Sequence, residues 1–257
     1  MTKMMKFALI NFIFRLSIFI FIFSLYLLHR EALVGFMTHS FTFGISDYGI
    51  SPLHVLWGIF ILMMLQHIFP HKNLSMAYKK GSIKEYTPVK EYSRLNLLEF
   101  VQQMNVKAWM VMLLWLSFNA IFAALYLFGV ITAGDMLMLT VFFYLCDYIC
   151  ILFFCPFQIF IMKNKCCINC RIYDWGYFMM FTPMLFIKNF FSWSLFFISL
   201  IVLIKWEIVY AMHPERFWYG SNKNLQCSNC NEKLCKIKNH LKKSKWVSLY
   251  LQIFLLH

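Results

Sequence analysis

The sequence predicts an all-α protein, a membrane helix bundle with four full spans followed by a C-terminal helical hairpin or a fifth span. The chain of 257 residues is 61% hydrophobic and contains 30 Phe, whereas a soluble domain is only about half apolar. Apolar runs of about 20 residues, the length that crosses a bilayer, alternate along the chain with polar segments. A lipid bilayer is therefore the first partner that the sequence implies.

The predicted spans follow from uninterrupted apolar runs and from the signals between them that start or stop a helix. Pro52 suits the first turn of a helix and Pro70 a stop, and Gly134-Asp135 suits a tight turn outside the membrane. The spans are expected at residues 7–28, 52–69, 108–131 and 136–162. The chain then divides into two N-terminal spans (1–69), a loop (70–107), a transmembrane hairpin (108–162), a further membrane region (163–210) and a tail (211–257).

Lys and Arg are unevenly distributed along the chain, whose formal net charge is +13. These residues accumulate in the cytosolic loops of membrane proteins, and they far outnumber Asp and Glu in the 70–107 loop and the 211–257 tail. We therefore expect a multi-pass plasma-membrane protein whose N-terminus, loop and tail are cytosolic. In a soluble protein the same charge would suggest nucleic acid, which is not expected here. The basic tail is instead expected to contact anionic lipid.

Two regions are expected to depart from simple spans. Residues 96–107 alternate apolar and polar side chains at helical spacing, which predicts an amphipathic helix on the cytosolic membrane surface. Residues 176–209 are too many for one span of about 20 residues and few for two. We expect a short membrane-dipping helix, a break near Lys188 and a return helix over 190–209, with other helices covering the broken backbone. A plain fifth span with the tail outside is the alternative.

Six of the nine cysteines lie in two polar clusters. On a cytosolic face such cysteines stay reduced and indicate metal or redox chemistry rather than disulfides. In the tail, the spacing Cys227-x2-Cys230-x4-Cys235-x4-His240 resembles that of a zinc knuckle with the last two ligand types exchanged, although the glycines usual in a knuckle are absent. Three thiolates and one imidazole can complete a tetrahedral zinc site.

A second pairing competes for two of the same cysteines. Cys167-x2-Cys170 and Cys227-x2-Cys230 together supply four thiolates, as in zinc ribbons. A metal held by both pairs would join the two ends of the predicted C-terminal hairpin, and we slightly favour this bridging set. Structural zinc is the expected ion. Two Cys-x2-Cys pairs also suit an iron–sulfur cluster or thiol redox exchange.

Asp147 is the most conspicuous polar residue within a predicted span. Carboxylates inside a membrane are costly and usually face a partner or a cavity. Asn119 in the third span and Arg15 in the first span lie at a similar depth, so we expect the three residues to meet in the bundle interior. The cluster is either a proton or substrate site or an ion pair that fixes helix packing. The second interpretation is favoured because only one acid is present.

Two histidines and the absence of catalytic motifs complete the prediction. His54 is expected to be a capping or interfacial residue of the second span, and His67 a polar residue on its inner face, with metal ligation as the lesser alternative. The sequence has no nucleotide-binding loop, nucleophile elbow or His-Glu-x-x-His motif, so no catalytic residue is assigned. The leading hypothesis is a membrane protein with a cytosolic thiolate metal site. The alternatives are an electron-transfer or thiol-redox protein using the same cysteines, and a small transporter built on the intramembrane cluster.

Overall fold

A computed structural model describes residues 3–29, 41–42, 49–69, 83–164, 166, 169–230 and 235. In these ranges the chain is mainly helical, and a pair of antiparallel two-residue strands, β1 (Phe41–Thr42) and β2 (Gly49–Ile50), is the one sheet. The α-helices are α1 (Lys3–Leu28), α2 (Pro52–Ile68), α3 (Arg94–Leu127), α4 (Ala133–Leu152), α5 (Gly176–Phe181) and α6 (Phe190–Met212).

Four of these helices, α1, α3, α4 and α6, are long and apolar enough to cross a membrane. The prediction of an all-helical chain with apolar helices of membrane-spanning length is confirmed, and these helices are compatible with an integral membrane protein. The predicted second span, α2, is apolar but has only 17 residues. At a rise of about 1.5 Å per residue it reaches about 26 Å, slightly less than the hydrocarbon core of about 30 Å.

Local capping interactions set the starts of α2 and α4. Ser51 and His54 form a reciprocal cap, in which the Ser51 backbone N–H donates to His54 Nδ1 over 3.2 Å, so the predicted capping role of His54 is confirmed. Thr132 and Asp135 form a second reciprocal cap, since Thr132 N donates to Asp135 Oδ2 over 2.7 Å. The turn between α3 and α4 therefore lies earlier than predicted. Its glycine is Gly129, whose φ of 74° suits a helix C-terminus.

The α3 helix differs from the prediction of a surface helix followed by a separate span. It is one continuous helix of 34 residues, about 51 Å long at the usual rise, so it exceeds the thickness of the hydrocarbon core. Its N-terminus is capped by Ser93, whose hydroxyl accepts from Asn96 N over 3.4 Å. No proline or glycine interrupts residues 94–127, which explains why the amphipathic 96–107 stretch and the apolar stretch form one helix.

The α4 helix also differs from its predicted bounds. It ends at Leu152 rather than at residue 162, and a short π-helical turn, Phe157–Ile161, follows. Pro156 explains the break, because proline lacks a backbone donor and disfavours helical backbone at the residue before it. The chain thus leaves the helix ten residues earlier than its apolar composition suggested, and 153–162 folds separately.

The chain between α4 and α6 is divided into short helical pieces. Two 3-10 turns, Tyr173–Trp175 and Thr182–Phe186, flank α5, and the three pieces extend about 25 Å at about 1.5 Å per α-helical and about 2.0 Å per 3-10 residue. After a break at 187–189, α6 begins at Phe190 as expected. This broken path is what the interruption near Lys188 indicated.

Other helices cover the broken backbone. Trp115 of α3 donates from Nε1 to Thr182 Oγ1 over 3.1 Å, and that hydroxyl donates to Phe178 O over 2.7 Å. The ring of Phe60 in α2 packs edge-on against Phe181, with centroids 5.3 Å apart. These contacts cover part of the segment and satisfy the Thr182 hydroxyl inside protein, as irregular backbone at membrane depth requires.

Residues 83–93 and 213–230 pack together as a structure that we call the polar cap. Backbone and amide hydrogen bonds join the two segments, and Pro88 and Asn222 form an isolated β-bridge. These bonds run from Val89 N to Ser221 O (3.0 Å), from Lys223 N to Thr87 O (2.9 Å) and from Asn224 Nδ2 to Glu85 O (2.6 Å). Because the first segment precedes α3 and the second follows α6, the start of α3 and the end of α6 lie at the same end of the bundle.

Candidate functional site

The first cysteine segment is a loop after α4 that is held by asparagine side chains. Asn164 Nδ2 donates to Asn169 O over 2.9 Å, and Cys166 N donates to Asn164 Oδ1 over 3.3 Å. Cys170, at the end of this loop, is only 5% exposed. Asn164 thus holds the described parts of this loop together, while Cys167 lies outside the described residues.

The second cysteine segment is a tight turn in the polar cap. A 3-10 turn spans Cys227–Asn229, and Cys230 N donates to Cys227 O over 3.4 Å. Cys227 is exposed, whereas Cys230 and Cys235 are half-buried. Metal sites with a Cys-x2-Cys motif take two thiolate ligands from one tight turn of this kind.

One hydrogen bond joins the two cysteine segments directly. Asn169, the residue before Cys170, donates from Nδ2 to Leu225 O over 3.0 Å, and Leu225 lies two residues before Cys227. The two Cys-x2-Cys motifs thus come from neighbouring segments at the same end of the bundle. Their juxtaposition is the feature on which a bridging site depends.

The described cysteines do not by themselves make a closed metal site. Within the described part of the chain, no group of three or more His, Cys, Asp or Glu side chains is arranged to hold an ion. Cys170, Cys227 and Cys230 belong to the predicted bridging set and Cys235 to the predicted tail set. The remaining candidate ligands, Cys167 and His240, lie outside the described residues, and the cysteines that are described form no disulfide with one another.

A half-buried charge cluster that the sequence did not predict anchors the loop beside Cys170. Arg171 makes a two-fold ion pair with Glu207 of α6, one of whose contacts, from Nη1 to Oε1, measures 2.7 Å. Trp175 Nε1 donates to the same carboxylate over 2.7 Å, and the guanidinium lies 3.7 Å from the ring centroid of Tyr210. Glu207, an isolated acid near the end of an apolar run, was the signal that could have revealed this cluster.

Arg15 and Asp147 are brought together inside the bundle. Arg15 Nη1 lies 3.0 Å from Asp147 Oδ2 and donates to Tyr144 O over 2.7 Å. The guanidinium lies between the rings of Tyr144 and Tyr148, 3.9 and 4.1 Å from their centroids. Gly176 permits the approach of α5 to this pair, because a Cβ there would stand 3.1 Å from Asp147 Oδ1. The arrangement satisfies both charges.

Asn119 makes its own, separate contacts. It is only 2% exposed, and its Nδ2 donates to Trp115 O on the same helix over 2.9 Å. Its Oδ1 is buried with no hydrogen-bond partner among the described residues. Of the three residues of the predicted cluster, Arg15 and Asp147 therefore contact each other, whereas Asn119 bonds within its own helix, α3.

His67 belongs to another buried polar group. Its Nε2 lies 3.7 Å from Asp174 Oδ1 at the start of the broken helix, and its ring packs beside those of Tyr177 and Trp206, with centroids 5.3 and 5.5 Å away. His67 is thus the inward polar residue that the sequence predicted. Its partner Asp174 was not foreseen, because the tertiary fold, not local spacing, pairs α2 with residue 174.

Comparisons with known proteins do not assign the chain to a family. The chain matches no protein-family model, no curated protein and no solved structure. The functional argument therefore depends on the geometry and chemistry of the residues described above.

Proposed function

We propose that this integral membrane protein carries one structural zinc ion, held by Cys167, Cys170, Cys227 and Cys230 at the end of the bundle that bears the polar cap. The single observation that carries the proposal is the hydrogen bond from Asn169 Nδ2 to Leu225 O, 3.0 Å long, which holds the two Cys-x2-Cys segments side by side. Four thiolates are a complete ligand set for a structural zinc ion.

Each cysteine pair is anchored to a different part of the protein. Cys170 precedes Arg171, whose ion pair with Glu207 fixes the loop to α6. Cys227 and Cys230 belong to the polar cap, which is tied to the segment before α3. A metal that joined the two pairs would therefore fasten the cap to the helices, and its binding energy would contribute to the stability of this end of the fold.

The bridging set is favoured over the tail set by this anchoring. The tail set takes its other two ligands, Cys235 and His240, from the same tail segment, so a metal there would not join the polar cap to the Cys170 loop. The bridging set needs only that two segments already in hydrogen-bond contact close around an ion. Metal binding commonly completes such ordering, because a site is rarely preformed without its metal.

Metal analysis of the purified protein and its variants tests the proposal. About one zinc per chain is expected, the usual content of a closed four-ligand site. Cys167→Ser and Cys170→Ser should each lower the zinc content, whereas Cys235→Ser and His240→Ala should leave it unchanged. Cys146→Ser, which alters a half-buried cysteine within α4, is the matched control.

The same experiment separates the alternatives. Loss of zinc in Cys235→Ser and His240→Ala, but not in Cys167→Ser and Cys170→Ser, would replace the bridging site with the tail site. Iron, with visible absorption from the purified protein, would favour the electron-transfer hypothesis. An unchanged metal content in all four variants would reject both sites.

A further inference from the structure

The first turns of α3 carry exposed apolar side chains on one side of the helix. Leu97 is buried against the bundle, whereas Leu95, on the other side, is 77% exposed, and Leu98 and Val106 are exposed as well. Gln102 lies between them along the helix and is also exposed. Residues 95, 98, 102 and 106 share one face of a helix with about 3.6 residues per turn. We call this face the α3 stripe.

The outer part of the α3 stripe lies beside the polar cap and not at the depth of lipid tails. Residues 83–93, which lead directly into α3, are hydrogen-bonded to residues 213–230, which follow α6. Phe100 of α3 stacks on Trp218 of the polar cap, with ring centroids 5.8 Å apart. Contiguous apolar surface that is exposed outside the hydrocarbon core marks an interaction site, so the stripe calls for a protein partner.

Opposite charges flank the α3 stripe. Arg94 and Glu99 are both exposed, and neither makes an ion pair with a residue that the structure describes. In the heptad notation of paired helices, Leu95 and Leu98 occupy the inward positions a and d. Arg94 then occupies position g and Glu99 position e, on the two edges of the interface. Charges at e and g determine which partner and which orientation such an interface accepts.

The position of Arg94 in its helix also favours an external carboxylate. Arg94 is the first residue of α3, and the first turn of this helix contains no acidic residue. The N-terminus of a helix carries a partial positive charge of about one half, which disfavours a cation there. A carboxylate from another chain beside Arg94 would offset both the guanidinium and the charge of the helix end.

We propose that two copies of this protein associate through the α3 stripe, with Arg94 of each copy beside Glu99 of the partner subunit. Two copies inserted in a membrane in the same orientation are related by a two-fold axis along the membrane normal, so two α3 helices that meet face to face run parallel. In a parallel pair, a side chain at g lies next to the side chain at e five residues later in the partner, and Glu99 follows Arg94 by five residues. The inference is independent of the zinc site, since it uses none of its ligands.

Energy transfer between two populations of the full-length protein tests the association. One population carries a donor and the other an acceptor fluorophore, each fused to the N-terminus, and both are reconstituted together into phosphatidylcholine vesicles. Transfer that persists on dilution with lipid, above the level expected for random encounters, is the predicted result. Random transfer alone would leave the stripe to another occupant, such as the apolar residues 246–256 of the same chain, and would overturn the proposal.

A variant within the stripe shows whether these apolar side chains form the contact. Leu95→Gln should reduce the energy transfer, because it replaces an apolar side chain at the centre of the interface with a polar one. Leu127→Gln is the matched control, since Leu127 is also 77% exposed but lies at the other end of α3. It should behave like the wild type. An equal response of the two variants would contradict the assignment of the contact to the stripe.

Charge reversal tests the pairing of Arg94 with Glu99 directly. Arg94→Glu and Glu99→Arg should each weaken association by roughly tenfold or more, because like charges then face each other twice in the dimer. A mixture of the two single variants restores both opposite-charge pairs, and so does the double variant with itself, so both should associate like the wild type. Both substitutions are at exposed positions. The proposal is overturned if the single variants associate as well as the wild type, or if mixing them restores nothing.

Discussion

Arg15 of α1 and Asp147 of α4 lie 3.0 Å apart between Nη1 and Oδ2, with the arginine side chain buried and the aspartate half-buried. The α1 helix packs mainly against α4, and the two rings that sandwich the guanidinium, Tyr144 and Tyr148, belong to α4 as well. One arginine thus combines an ion pair, a hydrogen bond and two cation–π contacts at the principal interface of α1. We infer that this group of contacts determines how α1 docks.

The first prediction concerns this pair. Arg15→Leu and Asp147→Leu should each destabilise the protein, because removing one partner leaves a charge in an apolar setting at a cost of roughly 3–5 kcal/mol for a fully buried pair. The Asp147 side chain is 35% exposed, so the expected loss in the free energy of unfolding is about 3 kcal/mol or less. The double variant should lose less than the sum, with a coupling free energy of about 0.5–3 kcal/mol, measured by unfolding in mixed detergent micelles.

Glu207 provides the control for this cycle. It is an acid of α6 whose partner is Arg171, and neither residue belongs to α1 or α4. Arg15→Leu and Glu207→Leu should therefore be additive within about 0.5 kcal/mol, as expected of independent sites. Additivity between Arg15 and Asp147 as well would refute the docking role.

The second prediction tests how the broken helix is covered. Thr182→Val replaces the hydroxyl that accepts from Trp115 Nε1 with a methyl group of similar size. It should cost about 1–3 kcal/mol, since the buried indole N–H is left without an acceptor. Trp115→Phe also removes the indole N–H, so the double variant should lose less free energy of unfolding than the sum of the two single variants. If Thr182→Val is as stable as the wild type, the covering contact is not important.

Much of the fold is predictable because its signals are local. Apolar runs mark the long helices, and the interruption at Lys188 marks the break before α6. The predicted ends of helices were less accurate where a single residue, rather than the apolar composition, ends the helix. Pro156 ends α4 early, and Gly129 rather than Gly134 makes the turn before it. Both are readable in the sequence, but the apolar residues around them favoured a longer helix.

The polar interior is less predictable, because partners are chosen by tertiary packing. Arg15 and Asp147 were paired correctly from their depth in two predicted spans. In the sequence, Arg171 is indistinguishable from an ordinary cation in a loop, and its partner Glu207 lies 36 residues away. Nothing local connects the two, nor does any spacing rule join His67 to Asp174. Such pairs emerge only once the broken helix brings residues 171–175 against α2 and α6.

The third prediction is topological. The polar cap joins residues 83–93 to residues 213–230 by backbone hydrogen bonds, so both segments must lie on the same side of the membrane. The Lys/Arg distribution predicts that this side is the cytosol. Reporters placed after Lys90 and after Lys245 should both give a cytosolic signal. Signals from opposite sides would contradict the pairing within the cap.

The fourth prediction concerns alkaline pH. Burial and the neighbouring Tyr92 raise the pKa of Tyr86 to about 12, so the folded cap favours the neutral phenol. The contribution of the neutral Tyr86 phenol to the free energy of unfolding is complete below about pH 10, the ordinary tyrosine pKa. It is lost as the pH rises through the pKa of Tyr86 in the folded protein. Tyr86→Phe should remove a tyrosinate absorbance step near pH 12 and this part of the alkaline destabilisation. A wild-type titration without a step near pH 12 would contradict the assignment.

The most direct test of the account is the coordination of the metal itself, measured by X-ray absorption at the zinc edge on the purified protein. The bridging site of Cys167, Cys170, Cys227 and Cys230 predicts four sulfur neighbours at about 2.3 Å and no nitrogen. Three sulfurs and one nitrogen at about 2.0–2.1 Å would contradict it in favour of the tail set with His240. A shell of oxygen or nitrogen neighbours without sulfur would contradict the proposal of a thiolate site altogether.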